Sequence, residues 1–136
     1  MIQNNKDKSY ALQRFDKWAI RFKDDFRAME IILKEDGPVN TICFLAQQAA
    51  EKLFKGFLSY HKTHIGKTHK LEILLDACVL IDKEFSELND AAVFLDNFYI
   101  ETRYPGDYPE FSLKDAKQAY QHALNIQKFI LKKIKN

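Results

Sequence analysis

The residues that break helices constrain this chain most. Its four glycines and three prolines fall at a few places, and neither type occurs before Gly37. A sandwich needs a turn about every ten residues, whereas this spacing leaves long uninterrupted runs that suit helices. Within the first run, Leu12, Phe15, Ala19, Phe22, Phe26, Met29 and Leu33 recur at intervals of three and four, which predicts one apolar helical stripe from about Ser9 to Leu33. "EDGP" should end it, with Gly37 accepting a left-handed cap and Pro38 barring continuation.

Four further helices are predicted on the same logic. One runs from about Asn40 to His61 on Ile42, Leu45, Ala46, Ala49, Leu53, Phe57 and Tyr60. Its alanines permit close approach of a neighbour. The next covers about Lys70 to Asp82, with Thr68 as N-cap and Leu71, Leu74, Leu75 and Cys78 on its apolar side. A fourth covers about Ser86 to Glu101. The last starts at Ser112, where "SLKD" fits a capping pattern, and carries Ala116, Ala119, Tyr120, Ala123, Ile126, Ile130 and Ile134. Amphipathic helices with short links bury their stripes against one another, so the expected class is all-α, an antiparallel helical bundle over residues 1–136 as a single domain.

Composition excludes several functions. The net charge is +2, short of the strongly basic balance of a non-specific nucleic-acid coat, although a local patch can still bind phosphate. No apolar run reaches the length of a membrane span, and "MIQNNKDKSY" is no signal peptide. Cys43 and Cys78 stand inside apolar segments without paired spacing, as buried thiols of a reducing cytoplasm. No nucleophile elbow, glycine-rich phosphate loop or acidic metal cluster is present. Kinase or nucleotidyltransferase chemistry by this chain alone is therefore not expected.

Three places remain as candidate sites. Gln47, Glu51 and Lys55 fall at i, i+4 and i+8, with Gln48 and Lys52 alongside. They form either a solvated face with a surface Glu51–Lys55 pair or a polar wall along which Lys52 and Lys55 meet phosphates. His61, His64 and His69 lie within nine residues. They straddle a helix end among lysines, with no carboxylate or cysteine at a ligand spacing, so no metal is assigned. His69, beside Thr68, is expected in a first helical turn, where its charged form is disfavoured.

The third place is "ETRYPGDYPE", residues 101 to 110. Pro105 drives Tyr104 from helical geometry and Pro109 restricts Tyr108, giving a stiffened loop. Arg103 either pairs with Asp107 or Glu101 and staples that loop, or offers its fork to a phosphate beside rings able to stack a base.

Taken together, "FLAQQAAEKLFKGFL" (Phe44 to Leu58), "KTHKL" (Lys67 to Leu71) and "YIETRYPGDYP" (Tyr99 to Pro109) resemble the HEPN family over most of the chain. The resemblance implies an up-and-down bundle of four helices with an additional short helix, usually a homodimer. It also implies a phosphate-binding role toward nucleotide or RNA, no cofactor, and a minimal nucleotidyltransferase as partner in a toxin–antitoxin-like pair. Many members are metal-independent RNases with an arginine followed, after four to six residues, by histidine. Arg103 matches the arginine, but Tyr108, Pro109 and Glu110 stand where the histidine would be. A tyrosine with a pKa near ~10 is a poor base at neutral pH, though it can hydrogen-bond phosphate, donate a proton or accept a nucleotidyl group. Some related toxins carry Arg-X4-Tyr and are neutralised in that last way. The expected site is thus Arg103, Tyr104, Lys52 and Lys55 for phosphate, with Arg103 and Tyr108 as the catalytic pair if the chain is an RNase toxin. A non-catalytic protein-interaction module is the remaining alternative.

Overall fold

The computed structural model describes residues 2–99 and 109–135. The helices are α1 (Ile2–Lys34), α2 (Val39–Tyr60), α3 (Leu71–Ile81), α4 (Asn89–Asp96) and α5 (Leu113–Lys135), and a 3₁₀ helix spans Lys83–Leu88. The architecture is all-α, and no strand occurs among the described residues. No helix is long and apolar enough to cross a membrane.

The apolar stripes meet around α2, which packs on α1, α3, α4 and α5. Phe15, Ala19, Phe22, Phe26 and Met29 of α1 are buried, as are all the apolar positions expected of α3. On α5, Ala116, Ala119, Ala123, Ile126, Ile130 and Ile134 are buried too, and Tyr120 is half-buried against Phe26. Leu12 lies outside the stripe and is exposed, while Ala11 takes the buried place. A row of edge-on ring contacts, Phe15–Phe22, Phe22–Phe26 and Phe26–Tyr120, joins α1 to α5. Such pairs add to plain area burial because ring edges are positive and ring faces negative.

Helices α1, α2, α4 and α5 alternate in direction, and α3 is the additional short helix. After α2 ends, residues 61–70 turn back along it until the His69 carbonyl accepts from Gln47 Nε2 at 3.1 Å. Helix α3 begins there. Its first amides are capped from far along the chain: Leu71 N and Glu72 N donate to the Asp96 carboxylate at 2.9 and 3.2 Å. The Thr68 hydroxyl accepts only from Lys70 N, at 3.3 Å, so the expected local cap is replaced by a carboxylate from α4.

Helix α4 stops short of the expected Glu101, at Asp96, where Asn97 Nδ2 donates to Phe94 O at 3.1 Å. There the chain tightens into i→i−3 bonds, Asn97 N to Phe94 O, Phe98 N to Leu95 O and Tyr99 N to Asp96 O. The α5 start matches its capping pattern in both directions: Ser112 N donates to Asp115 Oδ2 and Asp115 N to Ser112 Oγ, each at 3.0 Å.

Helix α2 closes with the paired backbone bonds of a Schellman turn, Thr63 N to Leu58 O and Lys62 N to Ser59 O, and α1 with the matching longer bond, Gly37 N to Ile32 O. The left-handed residues are Asp36 (φ 54°) and Lys62 (φ 57°), not Gly37. Gly37 is needed for a different reason, since a Cβ there would stand 2.8 Å from Ile32 Cγ2.

Gly56 lies in a tight contact between α1 and α2. A Cβ on it would lie 3.1 Å from the ring of the buried Phe15 and 3.2 Å from Trp18 Cβ, and a larger side chain would press on both. Gly56→Val should therefore lower stability by about 2 kcal/mol through overpacking, read as a fall in the urea midpoint.

Candidate functional site

The polar row on α2 does not lie on a solvated face. Gln47 is fully buried and Glu51 nearly so, at 6% exposure. They are covered by residues 61–70, which an i, i+4 pattern cannot reveal. Glu51 is the hub. One carboxylate oxygen meets His69 Nδ1 at 3.0 Å and the other accepts from Lys55 Nζ at 3.2 Å. Gln48 Nε2 donates to Gln47 Oε1 at 2.8 Å, so the seam is internally satisfied. No buried side-chain nitrogen or oxygen lacks a partner among the described residues.

Lys52 turns the other way, to α1, where its Nζ lies 2.7 Å from Asp25 Oδ2. Burial pushes the Asp25 pKa up, and the Lys52 ammonium only partly offsets that. Lys55 also stands 5.9 Å from the centre of the Trp18 ring. The two lysines expected to meet phosphate are therefore each engaged with a carboxylate in the free protein.

His69 is not in a helical turn as expected. It precedes α3, its backbone carbonyl is held by Gln47, and its ring stacks on Tyr99 with centroids 5.3 Å apart and planes 15° from parallel. The other two histidines go elsewhere. The His61 ring packs on Phe57 and Tyr60, and the exposed His64 lines a cleft beside Trp18. Among the described residues no three His, Cys, Asp or Glu side chains converge in a way that would hold a metal. Both cysteines are free and buried, and burial pushes the Cys43 thiol up to about 11 and Cys78 higher still, so both stay protonated and unreactive.

Burial lowers the His61 pKa below its ordinary value; Asp82 opposes this and Arg14 adds to it. As pH falls below ~6.5, the unfolded chain takes up this proton before the folded one does, and stability drops until the folded pKa is passed. His61→Gln should therefore flatten the loss of stability between pH 7.5 and 5.5, measured by urea midpoints at each pH.

Arg103, Tyr104 and Tyr108 lie outside the described residues. Their flanks are well defined. On one side Tyr99 is stacked on His69, and through His69 it reaches Glu51. On the other, the Asn40 amide donates to Pro109 O at 2.7 Å and accepts from Phe111 N at 3.0 Å. Phe111 then sits edge-on to Phe98, with ring centres 4.7 Å apart. Both flanks thus attach to the stretch of α2 between Asn40 and Glu51. Sequence reasoning missed the roles of Asn40, His69, Asp96 and Tyr99. His69 and Tyr99 carried a signal, their places in the "KTHKL" and "YIETRYPGDYP" elements.

A family model for the HEPN domain matches residues 16–134. Among solved structures, the fold is similar to that of ST0689, described as an archaeal HEPN homologue. The TM-score is 0.72 at 26% identity, over 88% of this chain and 97% of that one. It is also similar to TT1696 from Thermus thermophilus, with a TM-score of 0.70 and 29% identity over 88% of this chain and 98% of the other. No curated protein matches. The chain belongs to the HEPN domain family.

Proposed function

We propose that this HEPN-domain protein binds nucleotide or RNA phosphate through Arg103 and acts with a partner minimal nucleotidyltransferase, as one half of a toxin–antitoxin-like pair. The observation that carries the reading is that the residues on either side of 100–108 are both attached to helix α2. Tyr99 connects through His69 to the buried Glu51, and Pro109 O accepts from the Asn40 side chain near the start of α2. Flanks fixed in this way lower the chain entropy lost when a ligand is bound between them.

In this reading the Arg103 guanidinium takes a phosphate as a fork, and Tyr104 offers a ring to the base. Lys55 and Lys52 supply further positive charge while Glu51 and Asp25 hold them in place. Tyr108 would hydrogen-bond phosphate or receive a nucleotidyl group from the partner enzyme. A homodimer would bring two such segments into one groove. Calorimetric titration with ATP and with a short single-stranded RNA tests the reading, and saturable binding of either is expected. No binding of either ligand, together with a stable complex with another protein, would make the chain an interaction module instead.

A further inference from the structure

We propose that the surface around Trp18, which shares no ligand-binding residue with the Arg103 site, is a second binding site, one for single-stranded nucleic acid. In it the indole stacks a base, and Lys17, Lys62 and Lys67 take phosphates. Trp18 forms the ridge between two clefts. One, of about 340 Å³, lies between Trp18 and residues 63–67, with Lys55 and Lys67 on its walls. The other, of about 350 Å³, has Arg14, Lys17 and Lys62 on its walls. Among the described residues, no carboxylate lines either cleft. For a chain whose net charge is only +2, that is a local concentration of positive charge and not a reflection of composition.

The ring is held for such a role. Its Nε1 donates to Ser59 Oγ at 2.9 Å, and its Cβ lies against Gly56 of α2. The cations divide into two sets. Arg14 is committed to the end of α2, with Nε on Ser59 O at 2.7 Å and Nη2 on Tyr60 O at 2.9 Å, and Lys55 is committed to Glu51. Lys17, Lys62 and Lys67 are exposed and form no ion pair among the described residues. Lys62 moreover occupies the left-handed position of the α2 terminus, where glycine is the least strained residue.

A fixed aromatic ring interleaved with unpaired cations is the pattern that tracks a single strand, with bases on the ring and the backbone along the charges. An acidic protein surface would use the charges but leave the ring idle. His69 lines the first cleft, so this surface adjoins the Glu51 seam, and one strand can engage both.

Trp18 is the sole tryptophan, so its fluorescence reports on this surface directly. Titration with a twelve-nucleotide oligouridine should quench it to saturation. The Lys17→Glu/Lys62→Glu/Lys67→Glu variant should bind a labelled copy of the same RNA at least tenfold more weakly. Removing three phosphate contacts should also reduce the slope of log affinity against log salt by about 2. Trp18→Leu should weaken binding about fivefold or more, as expected for a lost stacking platform. Thermal melts check that the variants fold. Unquenched fluorescence at RNA saturation, or wild-type affinity and salt slope in the folded triple-lysine variant, would overturn the proposal. Arg103→Ala separates the two sites. Loss of RNA binding in that variant alone, with the lysine variant unaffected, would sink this proposal and leave the Arg103 reading standing; the reverse would do the opposite.

Discussion

Glu51→Ala is expected to cost the fold about 2–3 kcal/mol, the largest stability effect of any single substitution in the polar seam. The carboxylate is nearly buried and has two partners, Lys55 at 3.2 Å and His69 at 3.0 Å. Removing it leaves the Lys55 ammonium, only 17% exposed, without its anion. Breaking such a pair by deleting one partner typically costs ~3–5 kcal/mol, and His69 at 49% exposure recovers part of that from water. Glu51→Gln keeps the size and a carbonyl acceptor, and should cost about half as much. Urea unfolding gives both numbers. Amide exchange should show the damage concentrated in residues 61–70, which rest on this carboxylate, and not across α5. A loss below about 0.5 kcal/mol for the alanine variant would mean that Glu51 behaves as an ordinary surface charge.

Arg103→Ala should weaken binding of ATP and of short RNA at least tenfold while leaving the melting temperature near wild type. Hydrogen bonds to a charged partner contribute ~1.5–3 kcal/mol, and a bidentate fork supplies two at once. Arg103→Lys keeps the charge but loses the fork, so it should fall between wild type and alanine. The same variants settle whether the site is also catalytic. If the protein cleaves RNA, it should do so in EDTA, and Arg103→Ala and Tyr108→Phe should both abolish cleavage. A chain that binds but never cleaves is the outcome favoured by the absence of a histidine after Arg103, because tyrosine is a weak base at neutral pH.

The helices were legible because burial imposes a period that sequence records directly. Phe22, Ala46, Leu74 and Ile126 were assigned to the core from spacing alone, and all four are fully buried. What sequence hid was long-range. The cap of α3 comes from Asp96, 25 residues on, so nothing near Leu71 announces it. Gln47 and Glu51 have the spacing of a solvated stripe, and only the return of residues 61–70 turns that stripe inward. A local cap, by contrast, was readable, since the Ser112–Asp115 exchange is complete within one turn. The HEPN resemblance rested on "FLAQQAAEKLFKGFL", "KTHKL" and "YIETRYPGDYP", and Glu51 in the first touches His69 in the second. The pairing of those two elements was therefore physical, although their spacing in sequence gave no sign of it.

Phosphate bound through Arg103 should be felt on both flanks of residues 100–108, by Tyr99 with His69 on one side and by Asn40 with Phe111 on the other. Amide and side-chain chemical shifts of the isotope-labelled protein, followed during titration with ATP, test it most directly. The largest changes should fall on His69, Tyr99, the Asn40 side-chain amide and Phe111, and should vanish in Arg103→Ala. Changes confined to other faces of the bundle, or unaltered by that substitution, would contradict it.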